Sequence, residues 1–132
     1  MSDVPLGGLR NKDFARQLRD FTGLTFGKIS PTDIDAFLDF GGKLFVFIEG
    51  KHGTAMPPFG QKLALERIVN ACQAGGVETL LLLASHDTKG DVDYASLPVT
   101  RLFHKGKWRP PHKAITVRQA IDEFRAWFDR KG

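Results

Sequence analysis

Asp33-Ile34-Asp35-Ala36-Phe37-Leu38-Asp39-Phe40, Gly41-Gly42-Lys43 and Leu44-Phe45-Val46-Phe47-Ile48-Glu49-Gly50-Lys51 form the stretch that decides the fold. The first limb alternates polar and apolar residues with a period of two, which predicts a strand. The glycines predict a turn, so the two limbs read as a hairpin. The second limb is apolar on both faces until Glu49 and Lys51, as a central strand covered on both sides would be. Glu49 and Lys51 are two apart on that strand and share a face. Whether Asp35 joins them depends on the turn. A two-residue turn at Gly41-Gly42 sets Phe40 opposite Lys43 and Asp35 opposite Ile48. A three-residue turn sets Phe40 opposite Leu44, Asp35 opposite Glu49 and Asp33 opposite Lys51. Opposed Cβ atoms lie about 5 Å apart, close enough for two carboxylates to share a divalent cation. Two like charges that close also repel, so the pair asks for one.

Outward from the hairpin, Asn11 caps a predicted helix over 12–21 with Phe14, Leu18 and Phe21 on one side. Its other side carries Lys12, Arg16 and Arg19, a basic stripe suited to a phosphate backbone or to solvent. Residues 1–10 read as an N-terminal arm. After the hairpin, Gly53, Pro57, Pro58 and Gly60 predict a loop over 52–60. A helix over 61–74 follows, with Leu65, Ile68, Val69 and Cys72 inward, a Lys62–Glu66 pair outside, and Gly75-Gly76 as its stop. Residues 77–84 predict a buried strand. Residues 99–104 and 107–109 predict a second hairpin around Lys105-Gly106, ended by Pro110-Pro111. Thr116 and Gln119 form a capping box for a last helix with Val117, Ala120, Ile121, Phe124, Trp127 and Phe128 inward. The expected architecture is α/β, one domain over 1–132, with a mixed central β-sheet flanked by helices in the order α-β-β-α-β-β-β-α.

Composition sets the outer limits. The 132 residues suffice for one core, and 42% hydrophobic with 26% charged residues is ordinary for a globule. Nineteen Lys and Arg against fifteen Asp and Glu leave +4, which permits a polyanionic partner without requiring one. The lone Cys72 cannot close an internal disulfide, so a reducing, cytoplasmic setting is expected and Cys72 reads as a small core residue. The longest apolar runs, 44–48 and 80–84, fall far short of the ~20 residues of a membrane span. No signal peptide is read at the N-terminus, and no membrane partner is expected.

Asp35, followed fourteen positions on by Glu49-Gly50-Lys51 at the ends of two hairpin strands, resembles the PD-(D/E)XK nuclease superfamily. Within it, Holliday junction resolvases and stand-alone VRR-Nuc nucleases are the most similar in size and element order. Gln61 adds to the resemblance. It stands one helical turn before Leu65 and Ile68, where many such nucleases carry a glutamine near the active site. The likeness spans about residues 11–83 and is looser beyond. The acidic-x-Lys triplet alone says little, since composition predicts about one by chance. The chain has it also at Asp87-Thr88-Lys89 and Asp129-Arg130-Lys131. Only Glu49-Gly50-Lys51 closes a buried strand with an acid on the strand before it.

The resemblance implies a restriction-endonuclease-like sheet and a metal-dependent DNA endonuclease, acting on branched DNA such as four-way junctions or on flaps and ends. It implies Mg2+ or Mn2+ held by Asp35 and Glu49 with the Gly50 carbonyl, Lys51 placing the nucleophile, and Gln61 beside them. The family proline directly precedes its Asp. Here Pro31 stands two before Asp33 and four before Asp35, so Asp33 is a second candidate ligand. A first-helix Glu of related resolvases has Asp13 or Asp20 in its place, with Asp13 at the better distance. Lys105, Lys107, Trp108 and Arg109, within the basic stretch 101–113, are candidate DNA contacts alongside Lys12, Arg16 and Arg19. Two-strand cutting by so small a chain would take two active sites, so a homodimer is expected. A DNA recombination or repair role fits, in a cell or a phage. A non-catalytic nucleic-acid-binding module is the alternative of a different class.

Overall fold

A computed structural model describes residues 19–53 and 56–131. Backbone contacts divide the chain into two units, at Pro31–Thr32. In the described part of the first unit, Thr22–Leu24 form a single 3-10 turn and Phe26 bridges Ile29. The helix predicted over 12–21 lies mostly outside the described residues, and Arg19–Phe21, its expected last turn, are not helical. The reason is local. The Asp20 carboxylate accepts from the Thr22 N–H at 2.9 Å and the Thr22 hydroxyl at 2.6 Å, giving the backbone a turn in place of a helix.

The second unit is a five-stranded mixed sheet with a helix on each face. Its elements are β1 (Ala36–Phe40), β2 (Leu44–His52), α1 (Phe59–Ala74), β3 (Glu78–His86), β4 (Val99–His104), β5 (Lys107–Arg109) and α2 (Val117–Lys131). The strands lie in sequence order, β1-β2-β3-β4-β5. All neighbours are antiparallel except β2 and β3, which run parallel because α1 returns the chain between them. The expected α/β class with a mixed sheet holds. Over the described residues the order is β-β-α-β-β-β-α, without the leading helix.

The turn has three residues. Phe40 pairs with Leu44 and Ala36 with Ile48. Gly41 and Gly42 hold φ of 69° and 74°, values open to glycine and strained for other residues. The Asp39 carboxylate also accepts from the Gly42 N–H at 2.7 Å. This register carries Asp35 to the position opposite Glu49. Asp33, Ile34 and Asp35, read as strand from their alternation, precede β1 instead. Asp35 Oδ2 accepts from the Gly50 N–H at 2.7 Å and so takes a donor that a longer ladder would use.

The pleat sorts β2 between two cores. Leu44, Val46 and Ile48 join Leu80, Leu82 and Ala84 beneath Val117, Ala120, Ile121 and Phe124 of α2. Phe47 joins Leu81 and Phe103 beneath Leu65 and Val69 of α1. Each fully buried leucine contributes about 1.5–3 kcal/mol of transfer free energy. The capping box forms as expected, with Thr116 and Gln119 exchanging side-chain-to-backbone bonds of 3.0 and 3.2 Å. So does the Lys62–Glu66 pair, at 2.8 Å. Ile68 departs from the expected inward stripe and is 38% exposed. It lies about 60° round the helix from Leu65, and the buried stripe of α1 is only as wide as Leu65 and Val69. No helix among the described residues is long and apolar enough to cross a membrane.

Candidate active site

The candidate residues meet where β2 emerges from the sheet, on the face covered by α1. Glu49 is 2% exposed, a depth at which a carboxylate must be paired or hydrogen-bonded. Its Oε2 accepts from the Asp35 backbone N–H at 3.3 Å. Its Oε1 accepts from Gln61 Nε2 at 3.0 Å and lies 3.3 Å from Lys51 Nζ. Gln61 joins the rest. Its Oε1 accepts from Lys51 Nζ at 2.7 Å, while its Nε2 also reaches the Asp33 carbonyl at 3.2 Å. The first turn of α1 thereby locks the relative positions of an acid on β2, an amine on β2 and the backbone before β1.

Burial raises the pKa of Glu49, and the nearby Asp35 charge raises it further; the hydrogen bond from the Asp35 N–H and the Lys51 ammonium act the other way. The net direction is upward, set chiefly by burial. Asp35 itself is exposed. Its Oδ2 accepts two hydrogens, from the Gly50 N–H at 2.7 Å and the Tyr94 hydroxyl at 2.9 Å. Its Oδ1 has no hydrogen-bond partner among the described residues. Tyr94 was not legible in the sequence as a site residue, since it sits in a polar loop 59 positions from Asp35. Burial, its bond to Asp35 and the charges of Asp35 and Glu49 push its pKa up to about 12. Gly50 admits it, because a Cβ there would lie 2.6 Å from the Tyr94 hydroxyl.

Two carboxylates are hard oxygen donors of the kind that hold Mg2+ or Mn2+. The Oδ1 of Asp35, without a partner among the described residues, and the Glu49 carboxylate opposite it fit such a cation. Among the described residues no group of three or more His, Cys, Asp or Glu converges as a ready cage. Asp13 lies outside the described residues, and Asp20 belongs to the first unit, turned onto Thr22. Asp33 meets the cluster through its backbone carbonyl. Gly50 uses its N–H to hold Asp35. At the ends of β2 and β3, the rings of His52 and His86 meet edge to face at 5.4 Å. The Nδ1 of His86 is buried without a partner among the described residues.

Lys12 and Arg16 lie outside the described residues, and Arg19 is exposed in the first unit. Lys105, Lys107 and Arg109 are exposed on the β4–β5 hairpin. Pairing of His104 with Leu80 puts the tip of that hairpin at the end of the sheet away from Lys51. Lys105 is turned towards Glu78 at 4.0 Å and the Trp127 ring at 5.5 Å. Trp108 is half-buried against Phe103, its indole N–H donates to Glu66, and Lys62 lies 5.6 Å from its ring centre. Its face is thus occupied by protein. Arg101, at the start of the same basic stretch, pairs with Leu83, which pairs with Glu49. It shares the Glu49 row and face, two strand spacings or about 10 Å across.

Comparison of the chain with family models, with curated proteins and with solved structures found no match.

Proposed function

We propose that the chain is a metal-dependent DNA endonuclease of the PD-(D/E)XK type on a restriction-endonuclease-like sheet, selective for branched DNA such as four-way junctions. One observation carries the reading: the buried Glu49 carboxylate, opposite Asp35, is tied through Gln61 to Lys51. A charge at that depth is costly, and the apolar core around it has no need of one. Asp35 and Glu49 would hold Mg2+ or Mn2+, which lowers the pKa of a bound water and offsets charge on a phosphate. Lys51 carries three N–H donors. Gln61 engages one and Glu49 lies 3.3 Å away as an ion pair, so donor capacity remains for a phosphate oxygen or the attacking water. Gln61 holds both partners in place, so their separation does not drift as substrate arrives. Arg101, on the same row, is placed to contact the backbone of DNA lying across this face.

Cutting two strands takes two such sites, and a homodimer supplies them. Phe37, 47% exposed on the edge strand β1 and on the same face as Glu49, offers apolar surface beside the site. A monomeric mass in solution at working concentration counts against the dimer. A second reading has support in the same bonds: because Glu49 and the Oδ2 of Asp35 are hydrogen-bonded within the protein, the cluster would serve as a structural lock in a non-catalytic DNA-binding module. The test is cleavage of labelled four-way junction, flap and linear duplex with Mg2+, Mn2+ or EDTA, beside Glu49→Ala. Metal-dependent cutting lost in the variant is expected. Binding without cutting in either metal establishes the second reading, and equal cutting of all three substrates refutes junction selectivity.

A further inference from the structure

Resting on the reading of Asp35 and Glu49 as a cation site, the Tyr94 phenol has a specific effect on what that site can hold. A carboxylate oxygen offers two lone pairs. Asp35 Oδ2 has both engaged, by the Gly50 N–H at 2.7 Å and the Tyr94 hydroxyl at 2.9 Å. Only Oδ1 is left, with no partner among the described residues. The phenol is held where it is by its own turn. Tyr94–Ser96 form one 3-10 turn, whose first residue follows Asp93. The Asp93 carboxylate accepts from the Ala95 N–H at 3.1 Å and the Ser96 hydroxyl at 2.6 Å. The opposing side is open because residue 50 is glycine. A Cβ there would stand 2.6 Å from the hydroxyl and 2.9 Å from two ring carbons.

We propose that Tyr94 is a positioning residue that makes Asp35 a one-oxygen ligand and thereby sets which divalent cation the site accepts. Mg2+ and Mn2+ are six-coordinate and satisfied by single oxygens. Ca2+ takes six to eight oxygens and gains from a carboxylate that binds through both. With Oδ2 engaged by two donors, two-oxygen binding by Asp35 requires breaking hydrogen bonds to a charged group, so the larger ion is disfavoured. Gly50 is part of the same device, since any side chain there displaces the phenol.

The experiment measures metal binding and needs no turnover. Free Mn2+ is followed by electron paramagnetic resonance in titrations of the full chain, then displaced with Ca2+. Wild type, Tyr94→Phe, Gly50→Ala and Glu49→Ala are compared. The expected result is Mn2+ binding that requires Glu49, with a preference for Mn2+ over Ca2+ that falls about tenfold in Tyr94→Phe, the worth of one hydrogen bond to a charged group. Gly50→Ala, which keeps the tyrosine but not the room for its hydroxyl, shifts the preference the same way. Glu49-dependent Mn2+ binding with unchanged preference in Tyr94→Phe overturns the role given to Tyr94 and leaves the metal site standing. No Mn2+ binding by wild type, or binding indifferent to Glu49→Ala, overturns the metal site and this assignment with it.

Discussion

Replacing Gln61 with leucine removes the amide that joins Lys51, Glu49 and the backbone at Asp33 while nearly keeping its volume. Three hydrogen bonds go, of 2.7, 3.0 and 3.2 Å. They are not equal in consequence. Asp33 is exposed and Lys51 is 23% exposed, so water replaces the amide at both. Glu49 is buried, and water does not reach it as readily. The loss is therefore close to that of one bond to a buried charge, about 1.5–3 kcal/mol. For a domain of this size that lowers the melting temperature by roughly 5–10 °C. The pH dependence discriminates. The folded-state pKa of Glu49 is already raised by burial and by Asp35, so its charged form opposes folding as pH rises above the ordinary carboxylate value. Losing the Gln61 donor raises that pKa further. The unfolded state is common to both, so the difference between variant and wild type is expected to be larger at pH 7 than at pH 4 and to shrink as pH falls through the raised folded-state values, where Glu49 becomes protonated in both. Thermal melts of both proteins in EDTA at pH 4 and pH 7 measure it. Equal stability at pH 7, or a deficit of the same size at both pH values, refutes the placement of Gln61 against an ionised, buried Glu49.

Other outcomes follow from the same geometry. Glu78, 6% exposed, holds Lys131 at 2.8 Å, His104 and Lys105, so Glu78→Gln should cost about 1–3 kcal/mol at pH 7 in urea unfolding. Burial pushes the Glu78 pKa up, but bonds from Lys131 and His104 outweigh it and the net direction is down. Its contribution is therefore present at neutral pH and lost as pH falls through the lowered value, and an unchanged gap between variant and wild type across that window would count against the pairing. For DNA, Arg101→Ala should weaken binding and reduce the slope of affinity against salt by about one unit, as expected for one phosphate contact. Lys105→Ala, at the hairpin tip and turned towards Glu78, should change either little in fluorescence anisotropy titrations. The reverse ranking would move the DNA path to the other end of the sheet.

The hairpin was legible because its register depends on local chemistry. Once the turn holds three residues, counting alone sets Asp35 opposite Glu49, and the Gly41 and Gly42 backbone makes that turn. Gln61 was legible through the resemblance to a glutamine that many PD-(D/E)XK nucleases carry, one helical turn before Leu65, and spacing alone did not single it out. What the sequence hid depends on contacts between distant parts of the chain. Tyr94 reaches Asp35 across the polar loop after β3, and nothing in the period of its neighbours marks it. Ile68 fits the helical spacing of the buried stripe, yet how far round α1 the sheet covers is a property of packing. The predicted turn of helix at Arg19–Phe21 lost to two hydrogen bonds that Thr22 donates to the Asp20 carboxylate, a choice that periodicity does not register. Trp108 reads as a free aromatic in a basic hairpin, while Phe103 and Glu66, brought in by β4 and α1, occupy it.

β1 is five residues long, lies at the edge of the sheet and pairs only with β2, and Asp35 hangs from its first residue. Glu49 belongs to the interior strand. The two halves of the site thus sit in regions of unequal protection: β2 amides bonded to β3 are expected to exchange only when the core opens, whereas β1 and the β2 amides bonded to it are expected to fray on their own. On warming, the acid pair would come apart as a subglobal event while both cores remain packed. The temperature at which the site fails and the temperature at which the domain melts are then separate quantities, and stabilising the core alone would raise only the second.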